Sequence, residues 1–495
     1  MSDARSGRGQ IPDYSPSNAA MGDAETLATS NREALHAIRS LNEGVLPDGL
    51  EPKHRPRAYA TVVIGLSLAA LDGSIINLAL PTLSAQFGVS AASTIWLVNA
   101  YQLVMVIALL PLASLGEIYG YRRIYMTGLI LFAVASGLCA FSSTLLMLVA
   151  ARTLQGVAAA CIMSVNTAIV RYIFPSKSLG RAIGGNAIIV ATAGTLGPGI
   201  ASVILSFASW PWIFAINIPI CLAGVVIGWR RLPQSHRVIR QFDLRSTIQL
   251  AATFGLVIGG LSAMAHSSGA VLSSSLFVAG IASLIWMIRS QTRLETPMLP
   301  MDLLALPIFR LSLCASAATF CAQLLALVAL PFHLQRHLGF DVASSGLLLM
   351  AWPIAVGLTA PLAGRLADRV HAGILGAVGL ACMSAGIILL ALTHDPTSKM
   401  DFAWRLALCG FGFGLFQSPN NRTIILSAPL ERSGSAGGML GTARLTGQAF
   451  GAAFAALLLG RFGQEGPYAA LLLAAGLAAA GAVLSVRRAR KFRPF

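Results

Sequence analysis

From residue 58 almost to its end, the chain is a succession of apolar runs about 20 residues long, separated by short polar links. That length lets a helix cross a hydrocarbon layer of roughly 30 Å. Only 11% of the residues are charged, against about 25% in soluble proteins. A string of soluble domains and a disordered chain are both excluded. The pattern predicts an all-α, polytopic membrane protein.

Fourteen spans are expected, at about 58–80, 94–115, 122–141, 144–172, 180–207, 212–230, 246–266, 271–289, 310–334, 343–365, 373–393, 402–424, 434–461 and 467–486. The basic residues test that count. Residues 1–57 carry 7 basic and 8 acidic groups, which leaves 28 and 11 for the rest of the chain. With the N-terminus inside, 20 of those 28 fall in cytoplasmic segments and 4 in outer loops. This obeys the positive-inside rule and puts both termini in the cytoplasm. The net charge of +16 is therefore a topology signal and not a nucleic-acid footprint. The polar segment 1–57 holds no apolar stretch of signal-peptide type and is expected to be a partly disordered cytoplasmic tail. Residues 487–495 are expected to form a basic cytoplasmic tail.

An internal repeat gives the architecture. Ala79-Leu80-Pro81 recurs as Ala329-Leu330-Pro331 at an offset of 250, and Gly88 and Ser93 match Gly339 and Ser344 at 251. The loop Leu115-Gly116-Glu117-Ile118 matches Leu366-Ala367-Asp368-Arg369, also at 251. Gly156 and Asn166 match Gly410 and Asn420 at 254. Two six-helix halves, 58–232 and 305–490, then flank an inserted helix pair at 246–289. Transporters are often built from such repeats, with the substrate site between them.

Four motifs fall in one order. Leu71-Asp72-Gly73-Ser74-Ile75-Ile76-Asn77-Leu78-Ala79-Leu80-Pro81 lies in helix 1 and Arg152-Thr153-Leu154-Gln155-Gly156 in helix 4. Gly194-Thr195-Leu196-Gly197-Pro198-Gly199 lies in helix 5. Pro419-Asn420-Asn421, followed by Arg432-Ser433-Gly434-Ser435-Ala436-Gly437-Gly438, lies at and after helix 12. In these motifs the chain resembles the fourteen-helix drug/proton antiporters of the major facilitator superfamily. The resemblance implies a multidrug-efflux type of transporter in a bacterial inner membrane. It would exchange protons for small lipophilic compounds by alternating access, as a monomer, with no cofactor. Export of an endogenous metabolite and proton-coupled uptake are the same-fold alternatives. The helix 5 motif implies a seal between the halves at Gly194, Gly197, Pro198 and Gly199. The loop after helix 2 implies gating residues at Glu117, Gly120 and Arg122, with the second copy at Gly364, Asp368 and Arg369. The first copy departs from the family pattern at Ala113, Glu117, Ile118 and Tyr121.

Of the 11 acidic residues after the tail, Asp72 alone lies deep in a span, and its repeat equivalent is Ala322. A charge near the bilayer centre costs about 2.5–3.5 kcal/mol on insertion scales, so an acid that the repeat omits reads as functional. Proton coupling and a structural pairing with Arg152 are the two readings. Arg152 keeps its charge and would tune a nearby carboxylate; a loop-clamping role is the other reading. As coupling acid, Asp72 would favour lipophilic monocations and neutral compounds. Candidates for the substrate cavity are Trp96, Asn99, Tyr101, Gln155, Asn420, Asn421, Arg444 and Gln448. Substrate contact competes there with interfacial anchoring and with repair of the backbone at Pro419. The seven cysteines all lie in apolar runs without a CxxC pair, so they read as packing and no metal site is expected. No GxxxxGK[ST] loop is present, which disfavours a primary pump. A multipass enzyme would need clustered catalytic groups, and the eight histidines are scattered.

Overall fold

A computed structural model describes residues 49–235, 242–264, 270–291, 301–393, 398–428 and 433–491. The tail at 1–48 and residues 394–397 of the loop at 394–401 lie outside the described residues. All regular structure among the described residues is helical, as it must be where the backbone has no water to bond. The main helices are α1 (Arg55–Phe87), α2 (Ala91–Tyr119), α3 (Tyr121–Ala140), α4 (Leu145–Ile173), α5 (Ser176–Phe207), α6 (Asn217–Arg231), α7 (Leu244–Ala263) and α8 (Ala270–Gln291). They continue with α9 (Pro307–Phe332), α10 (Val342–Leu349), α11 (Ala351–Leu366), α12 (Ala372–Ala391), α13 (Lys399–Leu426), α14 (Ser433–Phe462) and α15 (Gly466–Lys491). Eleven helices are long and apolar enough to cross a membrane among the described residues.

Several helices outrun the expected spans. α1 has 33 residues where about 23 were expected, or about 50 Å at 1.5 Å per residue. Hydropathy marks where lipid ends, but a helix stops only at a capping signal. For α1 that signal is Gly88, whose φ of +63° lets its N–H bond back to Ala85 and Ser84. Its repeat partner Gly339 has φ +67°. The side chains of Ser90 and Asp341 then cap α2 and α10, each accepting from the backbone N–H three residues on.

The early helix pairings recur later in the chain. α1 packs on α4, α5 and α6 as α9 packs on α13, α14 and α15, and α2 on α4 as α11 on α13. α7 and α8 lie against each other, with the Thr253 and Ser283 hydroxyls 2.7 Å apart, and α7 rests on α2 and α14. The two sets of helices meet along α2 and α14 and again where α1 ends and α10 begins. There Ser202 donates to the Ala343 carbonyl at 3.1 Å and Arg336 to Ser84 Oγ at 2.8 Å.

The C-terminal basic run is not all tail. α15 continues to Lys491, and Arg488 is 1% exposed. Its guanidinium donates to Ser312 Oγ (2.8 Å), Asn420 Oδ1 (2.5 Å) and the Ala372 carbonyl (3.1 Å), tying α15 to α9, α13 and α12. Composition hid this, because a single arginine in a basic run looks like its neighbours.

Candidate functional site

Asp72 and Arg152 meet in the middle of the first set of helices. The motif that begins at Arg152 brings α4 close to α2: a Cβ on Gly156 would lie 2.7 Å from the Tyr101 carbonyl, so only glycine allows the approach. That contact places the Tyr101 ring 4.3 Å from the Arg152 guanidinium carbon, within cation–π range. Arg152 Nη1 donates to Asp72 Oδ2 at 2.5 Å and to Gln155 Oε1 at 2.7 Å, and its Nε donates to the Leu97 carbonyl at 3.2 Å.

Asp72 is 3% exposed and Arg152 is fully buried. The second carboxylate oxygen of Asp72 accepts from Gln155 Nε2 at 2.9 Å and Asn217 Nδ2 at 3.2 Å. Gln155 also donates to Ser136 Oγ at 3.0 Å. One carboxylate thus gathers groups from α1, α3, α4 and α6, with the ring from α2 beneath its partner. A buried ion pair recovers its desolvation cost only when further hydrogen bonds satisfy both partners. Asp72 meets that condition. Arg152 does not quite meet it, since Nη2 is buried without a partner, as is the Tyr101 hydroxyl.

Neither Asn217 nor Ser136 was anticipated. Asn217 had a signal, a lone amide within the apolar run Phe214–Leu222. Ser136 had none, because serines are common in such helices. The charge argument for monocations weakens here, because Asp72 carries its own cation at 2.5 Å.

The helix 5 motif lies directly against this cluster. A Cβ on Gly197 would fall 1.9 Å from Ser74 Oγ, two residues beyond Asp72, and one on Gly199 would fall 2.5 Å from Met350 Sδ, between α10 and α11. Pro198 is buried, whereas Gly194 has open space where a side chain would go.

The other candidates separate by position. Asn99 is buried and donates to Ser262 Oγ on α7 at 3.3 Å. Asn420 is fully buried and bonds Ser312, Ser316 and Arg488, as a strut between helices. Trp96, Asn421, Arg444 and Gln448 are half-buried. Arg444 lies over the Phe320 ring at 5.4 Å. At the loop after α2, Gly120 turns the chain with φ +100° and Arg122 donates to the Trp229 carbonyl, while Glu117 has no ion pair among the described residues. At the equivalent loop after α11, Gly364 lies 3.3 Å (Cβ position) from Ser418 Oγ, Asp368 accepts from Arg422 on α13 at 2.5 Å, and Arg369 is exposed.

The family model described as Major Facilitator Superfamily matches residues 62–452 and 311–494. The chain is 49% identical to the uncharacterized transporter YebQ of Escherichia coli over 443 residues, 89% of this chain and 97% of that protein. It is 28% identical to the multidrug efflux pump LfrA of Mycolicibacterium smegmatis, over 80% of this chain and 79% of that protein. A crystal structure of a POT family transporter in complex with 5-aminolevulinic acid superposes with a TM-score of 0.69, at 13% identity, over 91% of this chain and 99% of that one.

Proposed function

The chain belongs to the major facilitator superfamily, whose members here are transporters and not enzymes, and from that premise we propose that it exports small lipophilic compounds across a bacterial inner membrane in exchange for protons. The observation that carries the reading is the carboxylate of Asp72, the one buried carboxylate among the described residues, bonded to Arg152, Gln155 and Asn217 in a repeat whose second copy has Ala322. An acid that the fold can omit, set against a permanent cation, is suited to take up and release a proton.

In this reading two halves, 58–232 and 305–490, rock about the inserted pair 246–289, giving fourteen spans with both termini cytoplasmic. The contacts of Ser202 with Ala343 and of Arg336 with Ser84 then close the outer side. Protonation of Asp72 loosens α1 from α4. The close fit of Gly197 against Ser74 passes that change to α5, and Gly199 passes it to Met350. The likeness to LfrA, named a multidrug efflux pump, supports lipophilic compounds as the cargo. The unit of function is the monomer.

The experiment is a proton-flux assay with purified protein in proteoliposomes, across a panel of lipophilic compounds. Addition of a transported compound should move protons in the opposite direction. Compound movement with no proton movement, or with protons moving the same way, would overturn the antiport reading.

A further inference from the structure

Two cations are buried in the described membrane helices and are accounted for; a third, Arg444, is half-buried. Arg152 is paired with Asp72. Arg488 is held by Ser312, Asn420 and the Ala372 carbonyl. Arg444 differs from both. It sits 11 residues into α14, about 17 Å along the axis at 1.5 Å per residue. No carboxylate pairs with it among the described residues. Its Nε is buried without a hydrogen-bond partner, as is Arg488 Nε, but unlike Arg488 its guanidinium makes no hydrogen bond among the described residues, and its guanidinium carbon lies 5.4 Å from the Phe320 ring centroid. Phe320 is itself buried and packs edge-on against Phe413 at 5.4 Å.

The position is a seam. Leu445 and Ala449, on the next face of α14, pack in one cluster with Tyr101 and Met105 of α2, whereas Phe320 belongs to α9. Arg444 thus stands between an aromatic pair and the junction of the two sets of helices. Asp72 cannot supply its counter-charge, because that carboxylate is already bonded by three donors. The unmatched charge of this region is positive.

We propose that Arg444 recognises the substrate, and that the preferred substrates are lipophilic organic anions: an aromatic or otherwise apolar body carrying a carboxylate or sulfonate. A guanidinium binds a carboxylate or sulfonate through two parallel N–H donors, and a low-dielectric site strengthens that bond well beyond its value in water. The buried Phe320 and Phe413 rings make the surroundings of the charge apolar, which suits an apolar body beside it. Insertion scales penalise an unpaired arginine at such depth, and the substrate's own charge offsets that penalty while it is bound. This inference rests on the export reading for the site's purpose, but it stands or falls by binding alone.

The test is equilibrium binding to purified wild-type protein in nanodiscs, by calorimetry, with three probes of one shape: 2-naphthalenesulfonate, 2-naphthylmethanol and 2-naphthylmethylammonium. Wild type should bind the sulfonate at least tenfold more tightly than the ammonium. R444Q should lose at least tenfold for the sulfonate and change less than twofold for the alcohol, and R444K should lie between. If R444Q fails to purify, the wild-type comparison with R444K decides. Equal wild-type affinity for anion and cation, or sulfonate affinity unchanged in R444Q, would overturn the proposal. Anion-selective binding by a protein that moves no protons would sink the antiport reading and leave this one standing. Proton-driven transport with no anion preference would do the reverse.

Discussion

Replacing Gly197 by alanine tests whether the α1–α5 contact beside Asp72 is part of the transport mechanism. The new Cβ would stand 1.9 Å from Ser74 Oγ, 2.8 Å from Ser74 Cβ and 3.3 Å from the Ile75 nitrogen. The hydroxyl can swing away from its present bonds to the Leu71 and Ala70 carbonyls. Ser74 Cβ cannot swing. It falls about 0.7 Å short of the roughly 3.5 Å at which carbon atoms rest, so one helix must move. Overpacking of that kind costs about 1–3 kcal/mol. If the cost falls on one conformation of the cycle, it shifts the equilibrium about 5- to 150-fold. G197A should therefore lower the thermal midpoint of purified protein and slow transport driven by a pH gradient by a factor in that range. Ser74→Gly removes both offending atoms, so the G197A/S74G double variant should recover most of the loss. The reasoning fails if G197A transports and melts like wild type, or if the second substitution restores nothing.

Two further expectations concern the frame. Arg488→Ala leaves Asn420 Oδ1 and Ser312 Oγ buried without their donor, at roughly 1–3 kcal/mol for each unsatisfied group. Arg422→Ala breaks a pair that is 48% and 62% exposed, worth at most about 1 kcal/mol. Thermal unfolding should rank Arg488→Ala well below Arg422→Ala, and equal midpoints would remove Arg488 from the core. Reporter tags at either terminus should report cytoplasm, and a tag in the loop at 394–401 should report the outside. An outer C-terminus would mean an odd number of spans and end the two-halves account.

The membrane class and the repeat were legible in the sequence because lipid imposes length and apolarity on every span, and because caps recur with the repeat, as at Gly88 and Gly339. The approach of Arg152 to Asp72 was legible as an alternative, since an interior acid has few partners that can compensate it. What surrounds the pair was less so. Tyr101 and Gln155 read as cavity walls from polarity alone, yet both are buried against the ion pair. Asn420 read as a cavity candidate or as repair of the backbone at Pro419, and it bonds Ser312, Ser316 and Arg488. In each case the sequence shows a polar group in an apolar helix but not which neighbour satisfies it, because that depends on helix rotation set by distant packing. Arg488 was misread for the opposite reason: the helix carried it inward past the point where hydropathy ends.

The central claim is that Asp72 carries the coupling proton. The direct measurement is compound uptake into proteoliposomes under an imposed pH gradient, by wild type and by Asp72→Asn at equal, monodisperse reconstitution. Asparagine keeps an oxygen for Arg152 but binds no proton. The account predicts that the gradient accelerates wild-type transport and that dissipating it removes the acceleration, whereas Asp72→Asn transports at one slow rate with or without it. Undiminished gradient-driven transport by Asp72→Asn would show that another group carries the proton.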